Sequence, residues 1–282
     1  MTTVSINGTG IYHEIHGSGE PVLLLHGGFC SIEMMRPQIG ALASRYTVYA
    51  PERPGHGRSP DVPGPISYAQ SVADTLDYLD AVGVQRPHIV GFSDGAIIGL
   101  TIALQYPDRI RSLVAISGNL DPSGFVDELL GDDLADDASD DSAAETLSDI
   151  ADSAALADDT EYSASSADES DSEIALDPTR VAYNALSPHG PEHADVVLDK
   201  LRYLWTHEPN IAADELAGIS VPVLIIAGDR DVIKLEHSRQ MAFMVPDGQL
   251  CIVPRASHAL LDERPEFITF AVQDFLAGLP TV

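Results

Sequence analysis

Basic residues are scarce. The chain of 282 residues sets 15 Lys and Arg against 44 Asp and Glu, a formal charge of −29. Such a field repels phosphate backbones and anionic surfaces, so neither nucleic acid nor a membrane is expected as a partner. Lysine occurs only as Lys200 and Lys234, a bias compatible with a salt-adapted host. Cysteine is nearly missing too: Cys30 and Cys251 suit a reducing, cytoplasmic setting, with both thiols serving as core filler. No run approaches the ~18 apolar residues of a membrane span, and the opening MTTVSINGTG has no basic flank ahead of an apolar stretch.

What remains is ample for a core. With 44% hydrophobic and 21% charged residues, the chain as a whole is too apolar to stay disordered. Its length suits one large α/β domain carrying an insertion. The acidity is uneven: 18 acids and no bases lie between 127 and 173, which carries −18, and the rest, with 26 acids and 15 bases, carries −11.

Short apolar runs bounded by Gly, Pro or charge recur at 22–25, 47–50, 88–90 and 113–116, the look of strands buried on both faces. Between them Tyr68, Val72, Leu76 and Leu79 share a helical face, with Ser67 and Gln70 spaced as a capping box and Gly83 placed to end the helix. Alternating strand and helix predicts a parallel sheet covered on both sides. The rhythm returns with strands at 223–226 and 250–253 and a helix over 265–276 expected to bury Phe267, Phe270 and Phe275. The domain reading is therefore a core of 1–118 and 217–282, interrupted by a cap at 119–216 whose stretch 127–173 is acidic and of low complexity.

Gly91-Phe92-Ser93-Asp94-Gly95 follows an expected strand and precedes an apolar helix. A tight strand-to-helix turn lifts a serine Oγ above the sheet edge, and the helix N-terminus favours negative charge there. Ser93 is thus the candidate nucleophile. Ser257-His258 and Gly228-Asp229-Arg230-Asp231 follow two later strands at the same sheet edge, which is where ligands bind in such sheets. His258 is the candidate base, and a carboxylate must fix its tautomer. Asp231 has the reach, Asp229 is better placed for local turn bonds, and Asp121, after the strand ending near Ser117, is an outside choice. His26-Gly27-Gly28-Phe29 supplies backbone at the neighbouring strand end. The amide of Gly28, or else of Phe29, together with that of Asp94 would receive the oxyanion.

Together with Arg53-Pro54-Gly55-His56-Gly57-Arg58-Ser59, these motifs resemble the serine-nucleophile α/β-hydrolase superfamily over about 1–120 and 217–282, and the Ser-Asp-Gly elbow resembles its valacyclovir hydrolase-like branch. The resemblance implies an α/β-hydrolase fold: a mostly parallel eight-stranded sheet with helices on both faces, a cap after the sixth strand, and a triad of Ser93, Asp231 and His258. The expected activity is hydrolysis of a small-molecule carboxylic ester through an acyl-enzyme. The alternatives are a C–C bond hydrolase, or a ligand sensor that keeps the fold but turns over slowly. No cofactor is expected. A metal at His189 and His193 is disfavoured because Gly190 and Pro191 interrupt any helix between them. The Asp94 side chain is read as a helix-dipole partner and His56 as the organiser of a buried turn. Asp121 and Trp205 are candidate substrate contacts, with Tyr183 and Tyr203 on the cap side of the pocket. The sequence does not set the oligomeric state.

Overall fold

The computed structural model describes residues 2–126 and 178–280. The acidic stretch 127–173 lies outside them. Eight strands form one sheet in the order β1-β2-β4-β3-β5-β6-β7-β8: Thr3–Ile6, Thr9–Gly17, Glu20–Leu25, Tyr46–Pro51, His88–Phe92, Ser112–Ile116, Val223–Gly228 and Gly248–Val253, numbered β1 to β8 in chain order. From β4 to β8 every neighbouring pair is parallel; β1 with β2 and β2 with β4 are antiparallel. The expected mostly parallel eight-stranded sheet is what the structure has.

The continuous apolar runs have a direct cause. Leu23, Ile89, Leu113 and Ile225 face one core, while Leu24, Val90, Val114 and Ile226 face a second core across the sheet. Alternate side chains of each strand point to opposite faces, so a strand covered twice has no polar positions to spare.

Helices Arg36–Leu42 (α1), Leu260–Glu263 (α7) and Pro265–Ala277 (α8) cover one face. Tyr68–Ala81 (α2), Asp94–Gln105 (α3) and Leu235–Met244 (α6) cover the other. Helix α2 follows its sequence signals: the Ser67 hydroxyl accepts the Gln70 amide at 3.2 Å, and Gly83 takes the left-handed φ of +72° just past the end. Helix α8 departs from expectation. Ile268, Val272, Phe275 and Leu276 form its buried face, whereas Phe267 and Phe270 are 43% and 66% exposed. Positions 268, 272, 275 and 276 form one helical stripe, and 267 and 270 fall off it.

Within the expected cap, Pro178–Leu186 (α4) and Ala194–His207 (α5) are helical. Val197, Leu201 and Leu204 of α5 join the same core cluster as α2 and α3, and Tyr203 is exposed rather than turned to a pocket. No helix among the described residues is long and apolar enough to cross a membrane.

Candidate active site

Ser93 occupies the single residue between β5 and α3, at φ 52° and ψ −116°. A non-glycine residue held there is strained, and the flanking glycines explain how the turn closes. A Cβ on Gly91 would lie 2.1 Å from the Gly95 carbonyl oxygen, and one on Gly95 would lie 2.1 Å from the carbonyl oxygen of Leu25. The Ser93 amide donates to Ile116 O at 2.8 Å, tying the turn to β6.

The loop after β8 brings His258 Nε2 to 3.2 Å from Ser93 Oγ. On the other side of the ring, His258 Nδ1 lies 2.8 Å from Asp231 Oδ1, on the loop after β7. With Asp231 ionised, Nδ1–H donates to the carboxylate and Nε2 is left to accept the serine proton. Burial opposes that ionisation, yet the charge and hydrogen bond of His258, the hydroxyl of Ser117 and the Ile233 amide outweigh it and hold the Asp231 carboxyl below its usual range. Ser117, at the end of β6, donates to Asp231 Oδ2 and is itself buried.

The other two carboxylates considered for this role are engaged elsewhere. Asp229 Oδ1 accepts the Ala256 amide at 3.1 Å. Asp121 caps the short turn Pro122–Gly124, its Oδ1 accepting the Ser123 amide at 2.9 Å and the Ser123 hydroxyl. Asp121, expected to face the pocket, does not line the cavity beside Ser93, where Asn119 stands, and its Oδ1 serves its own Pro-Ser turn.

His26 organises the strand end beside Ser93. Its Nδ1 donates to Gly27 O at 2.8 Å, and its Nε2 accepts the Arg53 amide at 3.0 Å. Burial, and then the nearby Arg53 charge, push its pKa down to about 3, so the ring is neutral. His56, buried with Nδ1 at 2.9 Å from Pro54 O, sits in the turn it was expected to organise. Gly28 lines the cavity with Ser93, whereas Phe29, at φ 52°, stacks its ring on Tyr183 at 4.4 Å. The first amides of α3 have no intrahelical acceptors, which leaves the Asp94 N–H available toward Ser93.

The Asp94 side chain does more than answer a helix dipole. It is 1% exposed, with Oδ1 accepting Tyr68 Oη and Trp205 Nε1, each at 2.9 Å, and Oδ2 lying 3.3 Å from Arg53 Nη2. A Cβ on Gly28 would sit 2.7 Å from that Oδ2 and 2.6 Å from Trp205 Cζ2, so only glycine fits there. Trp205 does line the cavity, together with Cys30, Tyr68, Ile97, Phe125 and Ile233. Burial pushes the Cys30 thiol up to about 12, which removes it as a rival nucleophile.

The sequence assigns no role at the site to Arg53, Tyr68, Ser117 or Asn119. For Ser117 and Asn119 a signal existed, since both follow the C-terminal end of β6, the edge where Ser93 and His258 lie. Tyr68 was legible only as a helix residue, because its hydroxyl partner is 26 positions away.

The sequence pattern of the alpha/beta hydrolase family matches residues 22–269. A putative carbamate hydrolase RutD from Azorhizobium caulinodans is 41% identical over 116 residues, 41% of this chain and 44% of that protein, so the match spans less than half the relative's length. One of the same description from Caulobacter sp. (strain K31) is 28% identical over 275 residues, 95% of this chain and 96% of that protein. Among solved structures, Est816, described as an N-acyl homoserine lactone degrading enzyme, superposes with a TM-score of 0.75 at 21% identity, covering 97% of this chain and 100% of its own, a likeness of fold. With the pattern running from β3 into α8, the chain belongs to the alpha/beta hydrolase family.

Proposed function

We propose that the protein hydrolyses a small-molecule acyl compound, a carboxylic ester or a carbamate, through Ser93, His258 and Asp231. The observation that carries this reading is the relay from Asp231 Oδ1 to His258 Nδ1 at 2.8 Å and from His258 Nε2 to Ser93 Oγ at 3.2 Å. The names borne by the two RutD relatives support the carbamate branch.

Ser93 Oγ bonds to the carbonyl carbon as His258 Nε2 takes its proton. The carbonyl oxygen becomes an oxyanion that the amides of Asp94 and of Gly28 or Phe29 receive. Collapse breaks the bond to the leaving oxygen or nitrogen, which takes the proton from His258. Water then adds to the acyl-enzyme with His258 as base, releasing the acid and restoring Ser93.

The test is rapid-mix hydrolysis of a short activated acyl ester by wild type and Ser93→Ala. A burst of released alcohol followed by steady turnover, both abolished in the variant, is expected. A burst that stalls would replace turnover with slow sensing, and hydrolysis that survives in Ser93→Ala would reject the serine mechanism.

A further inference from the structure

Strand β8 ends the sheet, with β7 as its only strand partner among the described residues. The Val223 amide donates to Asp247 O and the Asp229 amide to Val253 O, so the odd-numbered positions of this strand turn their backbone groups toward β7. Alternation along the strand then aims the N–H and C=O groups of Gly248, Leu250 and Ile252 outward. Natural sheet edges are commonly blunted by a charge or a proline. Between Gly248 and Val253 there is neither.

The flanks of this edge are apolar as well. Leu250 pairs with Ile225 on the α6 face of the sheet, and Cys251 pairs with Ile226 on the α8 face. Leu250 is exposed, as are Phe243 on α6 and Phe267 and Phe270 on α8. Thr269 and Gln273 of α8 bond to Gln38 and Ala41 of α1. Phe267 lies about 200° around the helix from Thr269 and so on the flank away from α1. Helix α1 packs on β4 and α8 on β8, which makes that flank the one beside the free edge.

What the edge fits follows from its own charges. Residues 235–280 hold six acids and three bases, −3 of the chain's −29, so repulsion between two copies is small here. Two copies of one edge pair antiparallel about a two-fold axis normal to the sheet, which sets odd positions against odd and even against even. Asp247 and Arg255, both exposed, bracket the strand at its two ends. The register centred on Cys251 brings each Asp247 beside the partner's Arg255, twice over, and sets Leu250 against the partner's Ile252. Leu250 and Ile252 then form the hydrogen-bonded pairs. Cys251 meets the partner's Cys251 in the close pair between them, with Cα atoms about 4.5 Å apart.

We propose that a second copy of this chain docks on β8. The two β8 strands pair antiparallel about Cys251, Asp247 of each faces the partner's Arg255, and the sheet continues across both subunits with the phenylalanines of α6 and α8 along the seam.

The test is sedimentation equilibrium of the full chain under reducing conditions. The wild type should sediment at twice the 30.1 kDa of the chain. Asp247→Lys and Arg255→Glu should each raise the dimer dissociation constant at least about tenfold, and the double variant, in which the charges are opposite again, should return to the wild-type value. That return separates a lost contact from a lost fold. Oxidation by air with copper phenanthroline should link the two subunits through Cys251, in wild type and Cys30→Ser but not in Cys251→Ser. A dimer indifferent to both charge variants, or a dimer that does not link through Cys251, would place the interface elsewhere and overturn the proposal. A wild type that stays monomeric at every concentration would overturn it too. Hydrogen exchange at the Leu250 and Ile252 amides would then tell an edge covered by this chain's own residues, where exchange is slow, from a bare one, where it is fast.

Discussion

Trp205 on α5 donates its indole N–H to the Asp94 carboxylate at 2.9 Å, one residue from Ser93. The bond joins α5 to the strand-to-helix turn that carries Ser93. The same carboxylate faces Arg53, whose Nε and Nη1 are buried with no hydrogen-bond partner among the described residues. Losing Asp94 therefore strands a buried guanidinium. Asp94→Ala should lower unfolding free energy by about 3 kcal/mol, whereas Trp205→Phe, which forfeits one bond and keeps most of the ring, should cost about 1 kcal/mol. Urea titrations of the two variants measure both, and equal losses would contradict the buried-pair account.

How much of this was legible in the sequence depended on how local the cause was. The strands of the parallel sheet are continuous apolar runs because both faces are buried, and the Gly-x-Ser-x-Gly turn sits between a strand and a helix that announce themselves. The first two strands, β1 and β2, carry no such run, since β2 mixes buried residues with half-buried and exposed ones, and only the family resemblance supplies them. The roles of Tyr68 and Arg53 depend on contacts across 26 and 41 positions. Local pattern cannot register those. In α8 helical phase outranks hydrophobicity: Phe275 lies on the buried stripe and Phe267 and Phe270 do not.

On the proposed mechanism, Ser117 would position Asp231. Its hydroxyl donates to Asp231 Oδ2 from the far side of the carboxylate that His258 engages through Oδ1. Ser117→Ala should lower kcat by about tenfold with KM little changed, since a hydrogen bond to a charged group contributes about 1.5–3 kcal/mol. Ser117→Thr, which keeps the hydroxyl, should retain more of kcat. If the two variants behaved alike, the loss would be one of packing.

Helix α5 and the loop before it make a second tie, through Asp61. Its Oδ2 accepts Lys200 Nζ at 2.7 Å and lies 2.9 Å from His193 Nε2, and its amide donates to His189 Nε2 at 2.9 Å. Burial opposes the Asp61 charge, but Lys200 and His193 hold its carboxyl below the usual range. Asp61→Asn leaves the Lys200 amine against a neutral amide and should loosen α5. Steady-state kinetics should show KM raised severalfold and kcat within about twofold, because the cavity wall shifts while the relay is untouched. A fall confined to kcat would argue against this tie.

Stability should fall in two stages on acidification. His26, neutral and pushed to about 3 by burial and Arg53, must gain a proton on unfolding. A depressed folded pKa favours folding above the unfolded value of 6.5 and loses that contribution as pH falls from 6.5 toward 3. Burial likewise holds His56 well below its ordinary value, so it acts in the same direction. Below 4.5 the hydrogen bonds of Arg36 come into play, holding both Glu14 and Glu33 at about 2, and their contribution is lost as pH falls from 4.5 to 2. Urea midpoints across this range should therefore begin to drop near pH 6.5. Arg36→Met should flatten only the lower stage, and an unchanged lower stage would dissociate it from Glu14 and Glu33.

Asp229 and Asp231 share one loop and are told apart by what they touch. Asp231 is buried, with Oδ1 2.8 Å from His258 Nδ1, and on the proposed mechanism it would fix the tautomer whose Nε2 accepts from Ser93. Asp229 is exposed and caps the Ala256 amide across the loop. An amide at position 231 presents either an oxygen or an N–H to Nδ1 but no charge, so Asp231→Asn removes the group that stabilises the imidazolium. It should lower kcat by about 10⁴ at neutral pH while the fold persists. Asp229→Asn keeps an acceptor for Ala256 and should leave kcat within about threefold. Single-turnover kinetics on both variants decides the assignment, and a comparable loss in each would mean that the loop's conformation, and not the Asp231 charge, sets the rate.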